Sequence, residues 1–369
     1  MTNFTNYKPI RLIELFAGIG AQAKALTNLG VKYDHWVVCE WDKNAIASYN
    51  AVHGTNFAPS DITKLTADDL NITDTCHYTY LLTYSFPCQD LSTAGKGAGM
   101  EKGSGTRSGL LWEVERLLNE CEELPQVLLM ENVPQVHGKN NIEHFNKWIE
   151  FLKSKGYSNY WADLNAKDYG IPQSRNRCYM VSILGDYSYD FPQSIPLELR
   201  LGDLLEQEVE EKFYLSDNRY NPGLTDTTKL RATVLQREVC NKAVDITKPY
   251  EIIDYTYSNA RLSEINEGKE LFVRNKNDSS ISCTLTTNLA NFAIRLPNDR
   301  FRIFTPIESW RLMGFNDSDF NRAANVCESK YLYQQAGNSI VVNVLMAIFK
   351  PLFVPPKSRA EWLADLLNN

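Results

Sequence analysis

The fold of this 369-residue chain can be predicted from one segment near its start, Ile10-Arg-Leu-Ile-Glu-Leu-Phe16 followed by Ala17-Gly18-Ile19-Gly20. The first seven residues of this segment are mostly apolar and include two isoleucines, which predicts a buried strand. The two glycines predict a tight turn, and Ala21 to Leu29 predicts a helix that ends at Gly30. A strand, a glycine turn and a helix in this order are typical of an α/β domain whose turn binds phosphates or nucleosides.

A second predicted strand, His35 to Cys39, ends at Glu40-Trp41-Asp42. An acidic side chain about twenty residues after the glycines is placed to accept hydrogen bonds from ribose hydroxyls. Gly18-Ile-Gly20-Ala-Gln-Ala23 with Glu40 also satisfies the nicotinamide-dinucleotide fingerprint. These residues alone therefore leave the identity of the nucleoside cofactor open.

A cysteine follows another predicted buried strand, Tyr78 to Tyr84. The strand leads into Ser85-Phe86-Pro87-Cys88-Gln89-Asp90, and a loop with five glycines and three cations continues to Arg107. Open α/β sheets carry their chemistry at the carboxyl ends of their strands, and Pro87 stiffens the strand exit. Cys88 is therefore a candidate nucleophile, and the alternative is a structural cysteine beside a surface loop.

Three further segments reach the same predicted edge. Ser60-Asp61-Ile62 reads as a loop after a short third strand, with Asp61 either free to bind an amine or acting as a turn or N-cap residue. The strand Gln126 to Met130 ends at Glu131-Asn132. Arg175 and Arg177 lie two residues apart before the strand Cys178 to Leu184, so both side chains point to one face. The alternative interpretation of this pair is a solvated edge strand.

Composition limits the classes of protein that fit. Hydrophobic residues make up 43% of the chain and charged residues 22%, which is typical of a globular protein. There is no apolar window of membrane-spanning length, and the first residues lack a signal-peptide profile. Eight scattered cysteines without a CxxC pair argue against a metal site or disulfides and for a cytoplasmic protein. The net charge of -7 argues against nucleic-acid binding except through a local cationic surface.

The pattern predicts three parts along the chain. Residues 1–185 alternate strands and helices as a catalytic, cofactor-binding domain does. Residues 186–328 are expected to form a smaller, mostly β domain, because short β-like runs replace the βα alternation. Residues 329–369 contain the apolar helix Ile340 to Phe349, opened by Gln335-Ala-Gly-Asn-Ser339, which is expected to return to the first domain.

Taken together, these stretches resemble the cytosine-C5 DNA methyltransferase family of the prokaryotic or phage type. The motifs run in the usual, unpermuted order of that family over nearly the whole chain, apart from about Asp186 to Arg300. The motifs that carry the resemblance are Phe16-Ala-Gly-Ile-Gly20, Glu40-Trp-Asp42, Asp61-Ile62, Phe86-Pro-Cys-Gln89, Arg107-Ser-Gly-Leu110, Glu131-Asn-Val133, Gln173-Ser-Arg-Asn-Arg177 and Gly337-Asn-Ser339.

The resemblance implies a Rossmann-like sheet with helices on both faces, a small target-recognition domain, and S-adenosyl-L-methionine as the cofactor, with S-adenosyl-L-homocysteine as the product. It implies catalytic roles for Cys88, Glu131, Arg177 and Arg175, with Arg175 ordering Glu131 or a phosphate. It implies cofactor contacts from Phe16, Ala17, Gly18, Ile19, Gly20, Glu40, Trp41, Asp61, Ile62, Pro87, Leu110, Asn338 and Ser339. It implies DNA contacts from Gln89, Arg107 and Thr284.

The implied activity is methylation of carbon 5 of a flipped-out cytosine in duplex DNA, through a bond between Cys88 and carbon 6. A dehydrogenase would leave Pro87-Cys88 and Glu131-Asn132 unexplained. A tRNA cytosine-C5 methyltransferase is the second hypothesis, although its Cys-Phe-Thr signature is absent, and an inactive DNA-binding relative is the third. We further expect that the protein is a monomer, that it associates with the nucleoid and that it binds no metal. A restriction endonuclease that acts separately is a further expected partner.

Overall fold

The computed structural model describes residues 2–4, 6, 8–91, 99–215, 251–254, 281–287, 292–295 and 301–355. A six-stranded sheet lies at the centre of these residues. Its strands, in chain order, are β1 (Ile10–Leu15), β2 (Tyr33–Cys39), β3 (Thr79–Tyr84), β4 (Val127–Asn132), β5 (Tyr157–Asn165) and β6 (Asn176–Leu184).

The sheet runs in the order β2-β1-β3-β4-β6-β5. The first four strands pair in parallel, whereas β6 is antiparallel to both β4 and β5. Leu15 lies beside Cys39 and Tyr84, and Tyr84 lies beside Met130, so four carboxyl ends meet at one edge. This edge is where the sequence predicted the functional residues.

Ten α-helices accompany the sheet within the described residues. They are α1 (Ala21–Asn28), α2 (Lys43–His53), α3 (Ala67–Leu70), α4 (Leu111–Glu120), α5 (Ile142–Ser154), α6 (Leu201–Leu204), α7 (Pro306–Arg311), α8 (Asp317–Ala324), α9 (Ser329–Asn338) and α10 (Val342–Phe353). Short 3₁₀ turns span Ile62–Lys64, Ser108–Leu110, Pro134–His137, Ala166–Tyr169 and Glu211–Phe213.

Two apolar cores cover the two faces of the sheet. Successive strand residues alternate between them because side chains of a strand point to opposite faces. Leu81 belongs to the core shared with α1 and α10, and Leu82 to the core shared with α4 and α5. The predicted Rossmann-like sheet with helices on both faces is therefore confirmed.

Two local predictions were wrong. The expected third strand before Ser60 is absent from residues 54–61, because the backbone of Phe57 bonds the Asn50 side chain instead of a neighbouring strand. The motif at Gly337 does not open the last helix. It ends α9, and α10 begins separately at Val342.

Short strands join the later part of the chain to the first part. Ser282–Cys283 pairs in parallel with Gln173–Ser174. A four-stranded sheet contains Tyr214–Leu215, Phe301–Arg302, Phe292–Arg295 and Glu251–Asp254, in that order. Thr2–Asn3 pairs with Tyr187–Ser188. Residues 216–250, 255–280, 288–291 and 296–300 of the predicted small domain lie outside the described residues, and its existence as a separate unit stays a prediction.

The chain returns to the sheet earlier than residue 329. Trp310 and Phe315 belong to the same core as α1 and α10. Asp319 in α8 pairs with Lys24 in α1, with 2.8 Å between Oδ2 and Nζ. Residues 310–319 thus already contact the first part of the chain, and the boundary at 328 stays a prediction.

No single helix of the described residues is long and apolar enough to cross a membrane. Only α9 and α10, taken as a pair bent by 44°, match a span in length and composition. The apolar side chains of α10, including Leu345 and Phe349, are buried in the core of the sheet.

Candidate active site

Cys88 lies four residues beyond the end of β3, in a segment fixed by two neighbouring elements. The Asn132 side chain at the end of β4 donates to the Phe86 carbonyl at 2.9 Å, and the Ser108 hydroxyl donates to the Pro87 carbonyl at 2.6 Å. Asn132 thereby fixes the geometry of the loop that carries Cys88. The half-buried thiol therefore stands on a backbone held from both sides.

Asp90 is a supporting residue that the sequence analysis missed. Its buried carboxylate accepts from the amides of Arg107 at 2.8 Å and Ser108 at 3.3 Å, at the start of the turn that leads into α4. A negative charge at a helix start is favourable because the first amides of a helix lack partners. Its position two residues after Cys88 was the available signal, but the contact spans seventeen residues and no local pattern predicts it.

Glu131 is brought to the same edge and pairs with Arg177, with 3.3 Å between Oε1 and Nε. Burial raises the pKa of Glu131, and Arg177 and Arg175 oppose that rise. Burial and then Glu131 raise the pKa of the Cys88 thiol, while Arg177 and Arg175 lower it. The arginines thus favour the thiolate, but burial outweighs them, and the net pKa of the Cys88 thiol is raised.

Arg175 makes other contacts than those expected. Its guanidinium donates to the carbonyls of Leu285 at 2.9 Å, Gly337 at 2.9 Å and Ser339 at 2.8 Å. Burial lowers the pKa of Arg175, although a guanidinium stays protonated. Its bonds join three chain segments, and the expected hydrogen bond to Glu131 is not among them within the described residues. Arg175 therefore contacts the carbonyls that α9 leaves free at its end.

The glycine turn is closed by Glu40. One carboxylate oxygen accepts from the Gly18 amide at 2.8 Å and the other from the Asp42 amide at 2.9 Å. Burial raises the pKa of Glu40. Gly18 has φ +56, and a Cβ there would meet open space, so the turn presents its backbone to an unfilled volume beside Glu40.

The remaining predicted cofactor residues differ in exposure. Trp41 is 81% exposed, whereas Ile62 is 4% exposed and packs in the α4–α5 core. Asp61 is exposed and accepts from the Thr63 amide at 3.0 Å, which is the N-cap geometry of its alternative interpretation. Phe16 has a positive φ of 60. Of the others, Ala17, Ile19, Gly20 and Ser339 are buried, Pro87 and Leu110 are half-buried, and Asn338 is exposed.

Thr284 lies next to the motif that contains Arg175. Its hydroxyl donates to the Ser174 carbonyl at 2.6 Å, and the amide of Leu285 donates to the Gln173 side chain at 3.1 Å. Gly337 completes this junction, because a Cβ there would lie 2.5 Å from the Thr286 backbone. Gln89 and Arg107 are exposed at the two ends of the glycine-rich loop, of which residues 92–98 lie outside the described part.

Two groups of side chains could hold a metal ion within the described residues. They are Asp74, Cys76 and His77 on an exposed turn, and His137, Asp163 and Cys178 beside β5 and β6. The expectation of no metal stays untested.

Residues 10–353 match the family model described as C-5 cytosine-specific DNA methylase. The chain belongs to this family. The match covers the sheet, the Cys88 segment and the return of the chain through α10, so the predicted family is confirmed. The family also makes S-adenosylmethionine the methyl donor and double-stranded DNA the substrate.

Full-length relatives support the same assignment for this methylase. The type II methyltransferase M2.ScrFI of Lactococcus lactis subsp. cremoris is 32% identical over 93% of this chain and 99% of its own. The orphan methyltransferase M.SssI of Spiroplasma monobiae is 32% identical over 92% of this chain and 96% of its own. The chain is thus a DNA cytosine-5 methyltransferase, and the tRNA hypothesis is not favoured.

Solved structures match the fold. The Entamoeba histolytica methyltransferase EhMeth superposes with a TM-score of 0.65 at 17% identity, over 93% of this chain and 98% of its own. A mutant of the Spodoptera frugiperda DNMT2 superposes with a TM-score of 0.63 at 19% identity, over 92% of this chain and 98% of its own. At these identities the likeness concerns the architecture of the methylase alone.

Proposed function

We propose that this DNA methylase uses Cys88 as its nucleophile and Glu131 as its acid. The observation that carries the proposal is the meeting of Cys88, Glu131 and Arg177 at one edge of the sheet. Glu131 is held by Arg177 at 3.3 Å and raises the pKa of the Cys88 thiol, so their charges interact. Arg175 acts indirectly, because its bonds position the strand that carries Arg177.

The chemistry requires these side-chain types. Carbon 5 of cytosine is a weak nucleophile, and addition of a thiolate at carbon 6 turns the ring into an enamine that is nucleophilic at carbon 5. This addition places negative charge on N3, where a carboxylic acid can donate a proton. Glu131 suits this role because burial raises its pKa and so favours the protonated form. Arg177 is available to hold the O2 oxygen of the base.

The ionisation of the two groups is coupled. A charged Glu131 raises the pKa of Cys88, whereas a protonated Glu131 removes that repulsion. The state with a neutral acid and a thiolate is therefore favoured over the state with two anions. It is also the state that addition to carbon 6 requires.

The residues at the glycine turn fit S-adenosylmethionine. The open space beside Gly18, the carboxylate of Glu40 and the exposed ring of Trp41 suit a methionine chain, a ribose and an adenine. We assign the remaining contacts as the resemblance implies, except that the burial of Ile62 leaves it little surface to offer. When bound, S-adenosylmethionine supplies an electrophilic methyl group on its sulfonium sulfur.

DNA is proposed to contact the edge that carries Cys88. A cytosine within a duplex cannot present carbon 6 to a thiol, so the base must be flipped out of the stack. Gln89 and Arg107 are exposed near Cys88, and Thr284 is joined to the Arg175 segment through Ser174. Residues 186 to about 300 are proposed to read the target sequence. A separate restriction endonuclease belongs to the proposal too, because the relatives include a type II methyltransferase. Monomeric action and association with the nucleoid stay predictions.

The nucleophile can be tested with duplex DNA that carries 5-fluorocytosine. The fluorine cannot leave as a proton does, so enzyme and DNA should remain covalently joined in the presence of S-adenosylmethionine. Cys88→Ser should abolish both the denaturant-resistant complex and methylation, since a serine hydroxyl is a far poorer nucleophile than a thiolate. DNA affinity should be retained, because phosphate and base contacts come from other residues.

Cys121→Ser is the matched control, because Cys121 is also a half-buried free cysteine but lies at the far end of α4. This variant should trap DNA as the wild type does. Glu131→Gln should slow addition by roughly 10²- to 10⁴-fold, which is the usual contribution of a general acid. A trapped complex with Cys88→Ser would assign the nucleophile to another residue.

A further inference from the structure

A group of buried side chains lies directly under the glycine turn and is not part of the catalytic proposal. His53 in α2 bonds the Ile19 carbonyl through Nε2 at 3.1 Å, and Glu14 in β1 accepts from the Ala23 amide at 3.4 Å. The ring of Tyr49 packs so close to Gly20 that a Cβ at Gly20 would lie 2.6 Å from it. These side chains therefore contact the Ile19 carbonyl, the Gly20 Cα and the Ala23 amide in the first turn of α1.

The polar atoms of this group form a chain that ends on Glu14. The Tyr49 hydroxyl donates to Glu14 Oε2 at 2.5 Å and lies 2.7 Å from His35 Nδ1. Burial lowers the pKa of both His35 and His53, so the two imidazoles are neutral near pH 7. With Glu14 charged, the Tyr49 hydroxyl donates to the carboxylate and is free to accept from His35 Nδ1. Protonation of Glu14 at Oε2 turns that oxygen into a donor, so its hydrogen bond with Tyr49 reverses.

We propose that Glu14, Tyr49 and His53 are positioning residues for the cofactor turn, and that the charge of Glu14 links the affinity for S-adenosylmethionine to pH. The inference rests on the proposed binding of the cofactor at Gly18. It concerns side chains that support the turn from the opposite side, where the cofactor does not reach.

The charges around Glu14 give the direction of the link. Tyr33 of β2 and Tyr49 of α2 interact with it, His35 and His53 pack on the Tyr49 ring, and the Lys24–Asp319 pair interacts with His53. The histidines are neutral and the Lys24–Asp319 pair is balanced, so the carboxylate lacks a cation of its own among the described residues. S-adenosylmethionine carries one more positive charge than S-adenosylhomocysteine. A deprotonated Glu14 should therefore favour S-adenosylmethionine over its product.

Burial raises the pKa of Glu14 to about 7, which places this transition within an accessible range. The affinity of the full chain for S-adenosylmethionine, measured by calorimetry, should rise roughly fivefold or more between about pH 6 and pH 8. The affinity for S-adenosylhomocysteine should rise less. In Glu14→Gln, the affinities for the two ligands should change equally with pH. This result would assign the pH effect to Glu14 and not to Glu40, the other carboxyl at the turn whose pKa is raised.

Tyr49→Phe gives a result that a merely structural role would not. The ring that packs on Gly20 remains, but the hydrogen bond that lowers the pKa of Glu14 is lost, so the midpoint of the affinity change should move to higher pH. Tyr157→Phe is the matched control, because Tyr157 is a buried tyrosine whose hydroxyl bonds the Pro125 carbonyl away from the turn. In Tyr157→Phe, the midpoint pH of the affinity change should stay at the wild-type value.

The outcomes separate the two levels of the proposal. Binding of both ligands with no pH dependence, or an unmoved midpoint in Tyr49→Phe, would overturn the inference and leave the cofactor site intact. Binding of neither ligand at any pH would overturn the cofactor site and the inference with it. Cofactor-free thermal unfolding adds an independent measure. Because the folded-state pKa of Glu14 is raised, the thermal stability of the wild type should fall as the pH rises from about 4.5 to about 7. The stability of Glu14→Gln should fall less over the same range.

Discussion

Gly18 and Gly20 stand two residues apart in the same turn, both with positive φ, and alanine at each should have a different consequence. Gly18 has φ +56 and Gly20 has φ +77. An L residue in this region costs roughly 1–2 kcal/mol, partly offset by about 0.4–1 kcal/mol from the less flexible unfolded chain. Backbone strain alone therefore predicts a loss of about 1 kcal/mol at either position.

The surroundings of the two positions separate them. A Cβ at Gly18 meets no atom within 4 Å, whereas a Cβ at Gly20 would overlap His53 Nε2 and lie 2.6 Å from Tyr49 Cε2. Both rings belong to buried or half-buried side chains on α2, so they cannot move away freely. Overpacking of this kind adds roughly 1–3 kcal/mol. We expect Gly20→Ala to lose about 2–4 kcal/mol and Gly18→Ala about 1 kcal/mol.

Urea unfolding followed by tryptophan fluorescence measures these losses, and calorimetry with S-adenosylhomocysteine measures the site. Gly18→Ala should stay folded but bind the ligand roughly tenfold or more weakly, a loss of at least about 1.4 kcal/mol, because the new methyl group enters the proposed cofactor space. Equal unfolding free energies for the two variants would refute the close packing at Gly20. Unchanged ligand affinity in Gly18→Ala would show that the cofactor binds elsewhere.

Two further predictions concern charges buried at the site and at the return of the chain. Glu131→Gln should lower the pKa of Cys88, because it removes a neighbouring negative charge. Iodoacetamide should then label the Cys88 peptide faster at neutral pH, which mass spectrometry measures. Slower labelling would contradict the proposed coupling. Arg302 and Glu308 form a buried bidentate pair at 2.7 and 2.8 Å, and Arg302→Met should cost about 3–5 kcal/mol of unfolding free energy by leaving a carboxylate unpaired. Arg302→Met combined with Glu308→Leu should recover most of that loss, and a double variant as unstable as the single one would contradict the assignment.

Local sequence patterns predict the strands and helices of the catalytic part and the order in which they carry functional residues. Strand and helix periodicities differ, and glycine marks the turn after Phe16, so the first β-turn-α unit could be predicted from local pattern. The position of Cys88 after a buried strand and of Glu131 at the end of another followed in the same way. Parallel strands place their carboxyl ends together, which is why these residues were expected at one edge.

Contacts between side chains that are far apart in the chain depend on tertiary packing and could not be predicted. Arg175 bonds carbonyls 110, 162 and 164 residues away, and no local pattern encodes such partners. The missing strand before Ser60 depended on a hydrogen bond from the Asn50 side chain, and the break between α9 and α10 occurs where Arg175 takes up the free carbonyls. The support under the glycine turn was hidden for a related reason. Tyr49 and His53 read as ordinary helix residues, and only the packing of α2 against β1 places their polar atoms on Glu14 and Ile19, where burial rather than sequence sets their ionisation.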